Sequence, residues 1–534
     1  MNERAAPDAE PGVARASPRA ARIARAFDQA RSALPVSLAA LAAGAVCTFA
    51  FAPFELFWIA PIALAALLAL IDSAPSRRAA AWRGFAFGLG YFLGGVSWVY
   101  VSLNVYGSMP LPLAALATLG FCAYLALFPA LCAWAAKAAT AGVARVLAFA
   151  ACWVLTDWLR GWLFTGFSWQ AIGYSQASAS ALAGWAPVAG VHSITLVVAL
   201  SGAGLWFACQ AAAGRRPRPA ALAIAAIAAL WISGALLARV QWTAPSGEPI
   251  EVALLQGNIA QDMKWREDRL ATTLETYWRM IEAVEGAQLV VLPETALPVL
   301  SDRLPEDYLA RLVARARAQR ADILIGLVER AGNGRNYYNS VFSVGTAPVQ
   351  VYRKQHLVPF GEFIPPLFDW VMQWLNIPLQ DFSRGAADQV PMELSGQRVA
   401  VNICYEDAFG EEIIRQLPAA SILVNVSNTA WFGRSAAQPQ HLQISRMRAL
   451  ETGRPMLRST NTGMTAVIDP RGRVLVVAEP FTETTVRATV QGYQGVTPFV
   501  RVGNYGAIGL ALIIGAVGAT LSFRRRREAG RLAA

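Results

Sequence analysis

Three reactive side chains stand out because each follows a short apolar run with the composition of a β-strand. Glu294 comes after "LVVLP", Lys354 after "VQVYR" and Cys404 after "VAVNI". The ends of strands in α/β domains are where loops hold functional groups on a rigid scaffold. Cys404 also differs from the other cysteines of the chain, which lie inside apolar runs, since its own segment "ICYEDAFG" is polar and charged. The pattern therefore predicts one site that contains a thiol, a carboxylate and an amine.

These three groups form a complete set for nucleophilic attack on a carbonyl carbon. A free thiol has a pKa of about 8.5 and needs a base or a nearby positive charge before it attacks. Glu294 can accept the thiol proton, while Lys354 can favour the thiolate and stabilise the oxyanion of a tetrahedral intermediate. The backbone N–H of Tyr405 offers a second oxyanion donor. Taken singly, a buried cysteine, a solvated lysine and a glutamate in a turn are ordinary structural residues, but together they predict acyl transfer through a thioester.

The segment that carries these residues, 240–500, has the pattern of an α/β domain. Apolar β-rich runs such as "IEVALLQGNI", "ADILIGLVE" and "SILVNVSN" alternate with helical patterns such as "WREDRLATTLETYWRMIEAVE". This alternation predicts layered packing in which helices cover the sheets. Short runs on either side of "GTAP" indicate a hairpin within a mixed sheet.

The rest of the chain is much more apolar. Of its 534 residues, 55% are hydrophobic and only 15% are charged, which is unusual for a soluble protein. About 20 apolar residues suffice for a helix to cross the hydrocarbon core of a bilayer. We therefore predict eight transmembrane helices, at approximately 35–53, 57–71, 84–104, 111–136, 146–163, 184–213, 219–238 and 505–523.

Arginine and lysine are concentrated in alternate loops between these spans. They precede the first span, separate the second from the third, the fourth from the fifth and the sixth from the seventh, and follow the eighth. Cytoplasmic loops carry such an excess of positive charge, so we expect both termini in the cytoplasm and the α/β domain on the outer side. The net charge of +11 then reflects topology, and no nucleic-acid partner is predicted.

The predicted fold class is thus a polytopic α-helical membrane protein with an attached α/β domain. Four parts are expected: a basic cytoplasmic arm (1–34), a seven-helix transmembrane domain (35–240), the α/β domain (241–500), and an eighth helix with a basic cytoplasmic tail (501–534).

Several segments resemble the nitrilase superfamily, in the form seen in the apolipoprotein N-acyltransferase family. "LPETA", "YRKQHLVPFGEFIP" and "ICYEDAFG" match the Glu, Lys and Cys motifs of that family. "LLQGNIAQDMKW", "RGWLFTGFSWQAIGYSQ" and "NVSNTAWFG" extend the resemblance over nearly the whole chain. Many members carry Trp where this chain has Leu292, a difference that should not affect the chemistry.

The resemblance implies a nitrilase-like αββα sandwich for 241–500, on the periplasmic side of the bacterial inner membrane. It implies that Glu294 is the general base, Lys354 the residue that stabilises the intermediate and Cys404 the nucleophile. Glu362 matches an acidic residue that assists these three. The positions that match substrate-binding residues are Tyr405, Glu406, Trp265, Trp431 and Trp169. For the tryptophans, packing in the core or in the interfacial belt is an equal alternative.

The resemblance also implies a two-step reaction. A phospholipid, typically phosphatidylethanolamine, donates an acyl chain to Cys404, and the α-amine of the diacylglyceryl-cysteine of an apolipoprotein then accepts it as an amide. This is the final step of lipoprotein maturation, and it requires no metal and no cofactor.

Three alternative functions are open at this point. A membrane-anchored amidase or nitrilase would share the triad but transfer the acyl group to water. A transporter predicts paired charges deep in several spans, whereas Asp157 and Arg160, near the outer end of the fifth span, have the spacing of a local ion pair; His192 lies in the sixth span. A Cys–His hydrolase would use His356 or His441.

The segment "FIPPLFDWVMQWLNIPLQDF", 363–382, is strongly apolar and follows the Lys354 and Glu362 motif directly. Such a patch is larger than an ordinary surface loop exposes. It predicts a mobile lid that touches the bilayer beside the site; the alternative is a core helix of the α/β domain.

Overall fold

The computed structural model describes residues 34–332, 334, 336–364 and 382–533 of the chain. The predicted basic arm, 1–34, lies outside the described residues apart from Leu34. The predicted lid, 363–382, lies outside them apart from its first two residues and its last.

A helix occupies each place where the sequence predicts a span. The first seven are α1 (Leu34–Ala50), α2 (Ile59–Asp72), α3 (Arg77–Val96), α4 (Leu111–Ala138), α5 (Val143–Arg160), α6 (Ala186–Ala213) and α7 (Pro217–Leu237). The last is the C-terminal helix Tyr505–Ala533. Glycines let α3 and α4 approach closely, because a Cβ at Gly84 would lie 2.5 Å from the carbonyl oxygen of Pro129. Small residues at such contacts are typical of helices that pack within a membrane.

Within the described residues, four helices are long and apolar enough to span a membrane by themselves: α4, Ala181–Ala213 (which contains α6), α7 and the C-terminal helix. A fifth span is possible if α3 is joined to Val99–Tyr106, from which it is bent by 58°. Both α1 and α2 are shorter, and α5 carries Arg145, Asp157 and Arg160. The structure therefore supports several membrane helices, and eight crossings stay a prediction.

The α/β domain contains two six-stranded mixed sheets. The strands are β1 (Thr243–Pro245), β2 (Ile250–Gln256), β3 (Leu289–Val291), β4 (Asp322–Arg330), β5 (Tyr337–Gly345), β6 (Val351–Arg353), β7 (Met392–Leu394), β8 (Gln397–Ile403), β9 (Ile422–Ser427), β10 (Met456–Thr460), β11 (Ala466–Ile468), β12 (Val474–Val477), β13 (Thr484–Val490) and β14 (Tyr493–Gly495). The first six-stranded sheet has the order β13-β2-β3-β4-β5-β6 and the second has the order β12-β11-β10-β9-β8-β7. The hairpin predicted around "GTAP" is confirmed, since β5 and β6 pair antiparallel.

The two sheets pack face to face and helices cover their outer faces. One core lies between the sheets and combines Leu254 of β2 and Val291 of β3 with Val401 of β8 and Val424 of β9. The helices α8 (Glu267–Ala283) and α9 (Glu306–Ala318) cover the first sheet, and α10 (Ala437–Thr452) covers the second. The layers are thus those of an αββα sandwich. Two short helices, Gly410–Ile413 and Pro498–Val502, also lie in this part of the described chain.

The helix α10 is buried on every side although its sequence, "AQPQHLQISRMRALET", is polar. One side packs on the second sheet through residues such as Leu442 and Ala449. The opposite side packs against the membrane helices through Ile444 and Met447. A polar helix can be buried only when its polar side chains have partners, and these partners lie in both halves of the protein.

Candidate active site

The side chains of Glu294, Lys354 and Cys404 converge at one edge of the sandwich. Lys354 Nζ lies 3.3 Å from Glu294 Oε1 and 2.8 Å from Glu362 Oε1. The Cys404 thiol is within hydrogen-bonding reach of Glu294 and within electrostatic range of Lys354 and Glu362. All four residues are buried, with exposed fractions of 9% or less. The structure therefore brings together the four residues that the sequence predicts as catalytic.

Strand ends position these residues, as the sequence predicts. Lys354 directly follows β6 and Cys404 directly follows β8. Glu294 lies three residues beyond β3. Both six-stranded sheets contribute to the site, since β3 and β6 belong to one sheet and β8 belongs to the other. Each group is thus anchored by a hydrogen-bonded strand.

The Glu294 carboxylate is held from both sides. Asn339 Nδ2 donates to Glu294 Oε1 at 2.7 Å and to Glu362 Oε1 at 2.9 Å. The backbone N–H of Asn428 donates to Glu294 Oε2 at 2.7 Å. Sequence reasoning does not find Asn339 or Asn428; an asparagine in a buried strand, such as Asn339 in β5, is the signal that could have indicated the first.

Gly326 of β4 packs against the peptide of Glu294 so closely that no side chain fits. A Cβ at this position would lie 2.5 Å from Pro293 O and 2.6 Å from Thr295 N. These are backbone atoms, so the Glu294 turn itself would have to move.

We expect Gly326→Ala to displace Glu294 and to slow acylation of Cys404 by about 100-fold, because a misplacement of about 1 Å costs that much. Single-turnover acylation with a labelled acyl donor measures this rate. Gly332→Ala is the matched control, since a Cβ at Gly332 meets no atom within 4 Å. Equal rates in the two variants would contradict the expectation.

Cys404 has a left-handed backbone conformation, with φ of 55°. Non-glycine residues adopt it only where the surroundings stabilise it. Its carbonyl oxygen accepts hydrogen bonds from Asn425 Nδ2 at 3.1 Å and from His441 Nε2 at 3.3 Å. These bonds hold the sharp turn that presents the thiol.

His441 belongs to a buried network behind this turn. Its Nε2 also lies 2.8 Å from Asp407 Oδ1, while Ser445 and Arg458 bond to Asp407 Oδ2 at 2.6 and 3.2 Å. Burial lowers the pKa of His441, and the Arg458 charge lowers it further. His441 is therefore neutral and supports the backbone of Cys404, which is a different task from activating its thiol. This geometry does not support the Cys–His hydrolase with His441.

The other histidine of that alternative, His356, is also paired away from the thiol. Its Nδ1 lies 3.1 Å from Glu412 Oε1, and its ring stacks on Phe409 at 3.6 Å between centroids. Its role in the site is therefore one of packing beside Tyr405, with which its ring makes an edge contact.

Glu406 holds the ends of two strands together. Its Oε1 accepts hydrogen bonds from the backbone N–H groups of Gln355 and His356 at 2.6 and 3.1 Å. Its Oε2 accepts from Ile403 N at 2.6 Å and from the Tyr352 hydroxyl at 3.0 Å. Burial raises the pKa of Glu406 to about 7. With all four bonds internal, this carboxylate is placed to support the segments of Lys354 and Cys404.

The charges in the site favour an ionised base and a charged amine. Burial alone would raise the pKa of Glu294, but the positive charges of Lys354 and Lys264 outweigh it. Hydrogen bonds from Asn339 and Asn428 add to this effect, so the pKa of Glu294 lies below its usual value. Burial alone would lower the pKa of Lys354, but the negative charges of Glu294 and Glu362 raise this pKa above its usual value.

Cys404 is protonated in the resting site. Burial raises the pKa of its thiol strongly, and the Glu294 charge raises it further, while Lys354 lowers it only in part. The sequence predicts that Lys354 favours the thiolate, and its charge does act in that direction. Burial dominates, however, so the thiol needs a base before it can attack, and Glu294 is a carboxylate within its hydrogen-bonding reach.

The three predicted aromatic positions have different surroundings. Trp169 is 1% exposed; its Nε1 donates to Gln440 Oε1 at 2.8 Å and its ring stacks on Tyr405 at 6.5 Å. Trp431 contacts the bent helix Val99–Tyr106, where the Ser102 hydroxyl donates to its carbonyl oxygen at 2.8 Å. Trp265 is half-buried on the loop between β2 and α8. The environment of Trp169 is that of a packing residue at the boundary between the membrane helices and the sandwich.

The predicted ion pair of Asp157 and Arg160 is present. Arg160 Nη1 also donates to the carbonyl oxygens of Phe167 and Trp169. The pair therefore holds the turn that carries Trp169 against the catalytic sandwich, a structural role that accounts for a charge in this helix without a transport path.

The other five cysteines are free. Cys47, Cys122 and Cys132 are buried among the membrane helices and Cys152 is partly buried, as expected for packing residues. Cys209 is exposed on α6, so packing does not explain it. Within the described ranges, no three His, Cys, Asp or Glu side chains come together as a metal site.

The fold and these side chains are those of a nitrilase-like domain. Residues 251–497 match the family model described as carbon–nitrogen hydrolase. Residues 43–204 match the model described as the apolipoprotein N-acyltransferase N-terminal domain.

Curated relatives extend this similarity over almost the whole chain. An apolipoprotein N-acyltransferase from Nitrosomonas europaea is 51% identical over 496 residues, covering 92% of this chain and 98% of the relative. One from Chromobacterium violaceum is 48% identical over 500 residues, covering 92% and 95%. The chain therefore belongs to the apolipoprotein N-acyltransferase family. Among solved structures, a carbon–nitrogen hydrolase superfamily protein from Xanthomonas campestris is 20% identical with a TM-score of 0.36, covering 46% of this chain and 91% of that protein.

Proposed function

We propose that this protein N-acylates the diacylglyceryl-cysteine at the N-terminus of apolipoproteins, with phosphatidylethanolamine as the acyl donor. The observation that carries the proposal is the convergence of Glu294, Lys354 and Glu362 on the Cys404 thiol. Family membership supports the two substrates, a phospholipid and a lipoprotein. The residue roles and the donor headgroup are our inference.

In the first half-reaction, Glu294 takes the proton of the Cys404 thiol as the sulfur attacks the ester carbonyl of the phospholipid. The resulting oxyanion is stabilised by Lys354 and by the backbone N–H of Tyr405. The carbon–oxygen bond then breaks, and the departing lysophospholipid oxygen takes the proton from Glu294. The acyl chain remains on Cys404 as a thioester.

In the second half-reaction, the neutral α-amine of the apolipoprotein attacks the thioester carbonyl. Glu294, ionised again, takes a proton from the attacking nitrogen, and Lys354 stabilises the second oxyanion. The carbon–sulfur bond breaks, the amide leaves, and Cys404 recovers its proton from Glu294. An α-amine has a pKa of about 7.7 to 8.0, so a useful fraction is neutral near pH 7.

The surrounding residues have supporting roles in this proposal. Glu362 holds Lys354 through its 2.8 Å ion pair, and Glu406 fixes the backbone on either side of the site. Tyr405, Trp265 and Trp431 are proposed to contact the substrates. Trp169 is proposed to act from behind Tyr405, on which it stacks.

We also propose that the protein lies in the bacterial inner membrane with the sandwich in the periplasm. The proposed parts follow in chain order. They are a cytoplasmic arm (1–34), a helical transmembrane domain (35–240), a periplasmic catalytic domain (241–500), and an eighth transmembrane helix with a cytoplasmic tail (501–534). Arg and Lys alternation supports this topology. Reporter fusions at residue 245 and at the C-terminus should give periplasmic and cytoplasmic signals respectively. A cytoplasmic signal at both positions would contradict the proposed orientation.

Purified protein and a labelled phospholipid test the function directly. Without an acceptor, the label should accumulate on the protein as a hydroxylamine-sensitive adduct. A diacylglyceryl peptide with a free N-terminus should then discharge the label as an amide, whereas an N-acetylated peptide should not. The alternative of a membrane-anchored amidase predicts release of free fatty acid at the same rate with or without the peptide.

A further inference from the structure

We propose that Lys264 is a positioning residue of this site, which fixes the Glu294–Thr295 peptide and supplies a second positive charge beside the Glu294 carboxylate. The inference deepens the proposed function and rests on Glu294 acting as the base. The sequence does not predict a role for this lysine, because it lies in a loop whose residues show no strand or helix periodicity.

The contacts of Lys264 all point at the Glu294 turn. Its Nζ donates to the Glu294 carbonyl oxygen at 3.1 Å and to the Thr295 hydroxyl oxygen at 2.6 Å. Its exposed fraction is 3%. A lysine is almost never buried unless it is paired, and here its hydrogen-bond partners belong to the segment of the base.

The turn needs such a restraint. Thr295 has φ of 44°, a left-handed conformation that is strained for a β-branched residue. Behind it, Gly326 allows the turn to lie flat on β4. Lys264 closes the turn by binding both its carbonyl and its hydroxyl group.

The loop that carries Lys264 is anchored to the same group of residues. Asn461 O and Asn461 Oδ1 accept the backbone N–H groups of Asn258 and Ile259 at 2.9 Å each. Asn428 Nδ2 donates to Gln261 Oε1 at 2.8 Å, and the N–H of Asn428 binds Glu294. The position of Lys264 is therefore set by the residues that also hold the base.

A count of charges shows what Lys264 adds. Glu294 and Glu362 share the single amine of Lys354, so these three groups alone would leave one buried negative charge. An uncompensated buried charge is costly, and it would oppose the negative charge that develops on sulfur and oxygen during the reaction. Lys264 balances it. In the part of the chain that the structure describes, the Cys404 thiol also faces Glu294 and is neutral at rest, while Glu406 lies within electrostatic range of Lys354.

Burial lowers the pKa of Lys264 to about 8, and the negative charge of Glu294 opposes that decrease. The amine is therefore mostly protonated at neutral pH. Its charge lowers the pKa of Glu294, so removing it should raise that pKa and leave less ionised base in mild acid.

Single-turnover acylation of Cys404 by labelled phosphatidylethanolamine, measured from about pH 4 to 8, tests this inference. In Lys264→Gln, which keeps a hydrogen-bond donor without the charge, the acid limb of the rate should move up by about one pH unit. In Lys264→Arg, which keeps the charge, it should stay within a few tenths of a unit of the unmodified protein. An acid limb in Lys264→Gln that coincides with that of the unmodified protein would overturn the electrostatic role.

Arg266→Gln is the matched control. Arg266 lies two residues along the same loop and pairs with Asp268 in solvent, with an exposed side chain. Its loss should leave the acid limb in place because exposed charges are screened. A shift equal to that in Lys264→Gln would also overturn the inference.

Thr295→Val tests the positioning role separately and does not depend on the folding of the lysine variants. It removes the acceptor of the 2.6 Å hydrogen bond but keeps the β-branched shape. Acylation should become about tenfold slower, and an unchanged rate would overturn the positioning role. Failure of the proposed function would look different, since the unmodified protein would then form no adduct at any pH.

Discussion

The Cys404→Ala variant is expected to form no acyl adduct and to show no turnover, because the first half-reaction of the proposed mechanism forms a bond to the Cys404 sulfur and the second breaks it. Intact-protein mass spectrometry after incubation with phospholipid measures the adduct as one added acyl group. The unmodified protein should carry this group, and hydroxylamine should remove it. An adduct that persists in Cys404→Ala would contradict the proposed nucleophile.

Cys209→Ala is the matched control for this experiment. Cys209 is the exposed cysteine on α6, so it is the thiol that a reactive lipid could acylate without catalysis. Its removal should leave the adduct intact. The buried thiols of Cys47, Cys122 and Cys132 are less suitable, because their loss would leave cavities that lower stability.

Glu294→Gln is expected to slow formation of the adduct by about 10²- to 10⁴-fold, which is the usual effect of a general base. The cause is specific to this site: burial, which the substitution does not change, is the main reason that the pKa of Cys404 is raised, so without the base there is almost no thiolate. Lys354→Met should cost about 10²- to 10³-fold through the lost oxyanion donor. Rapid-quench labelling measures both rates.

The two variants should differ in stability. Glu294→Gln keeps the volume of the side chain and one of its two acceptor oxygens, and its amide N–H2 replaces the other acceptor, which faces Asn339 or Asn428. Lys354→Met leaves Glu294 and Glu362 buried without their shared cation, which costs about 3 to 5 kcal/mol and should lower the melting temperature. Normal acylation in Lys354→Met, or an equal loss of melting temperature in Glu294→Gln, would contradict this division of roles.

The positions of the reactive groups could be predicted because strand runs are short, apolar and followed at once by Glu294, Lys354 or Cys404. The α/β class of the segment 240–500 could be predicted because strand patterns and helix patterns alternate along it. The sequence does not reveal the residues that hold these reactive groups in place. Asn339 lies within a strand and Lys264 within a loop, and neither position has a periodicity that marks it.

Two elements illustrate which features of the fold could not be predicted from the sequence. The segment Val99–Tyr106 is bent by 58° from α3 and contacts the sandwich where Ser102 bonds to Trp431, and that partner is distant in sequence. The helix α10 lacks an apolar face, so a pattern search passes over it. Its burial depends on partners that are distant in sequence.

The side chains of α10 have partners in both halves of the protein. Toward the membrane helices, Gln440 Oε1 accepts from the indole N–H groups of Trp98 and Trp169, and Glu451 Oε1 accepts from Val191 N at 2.7 Å. Toward the sandwich, His441 and Ser445 bind Asp407. Neither half can therefore be exchanged alone: a sandwich grafted onto foreign membrane helices would bury Gln440 and Glu451 without matching groups. Substitutions on α10 and on the membrane helices that contact it must therefore be made together.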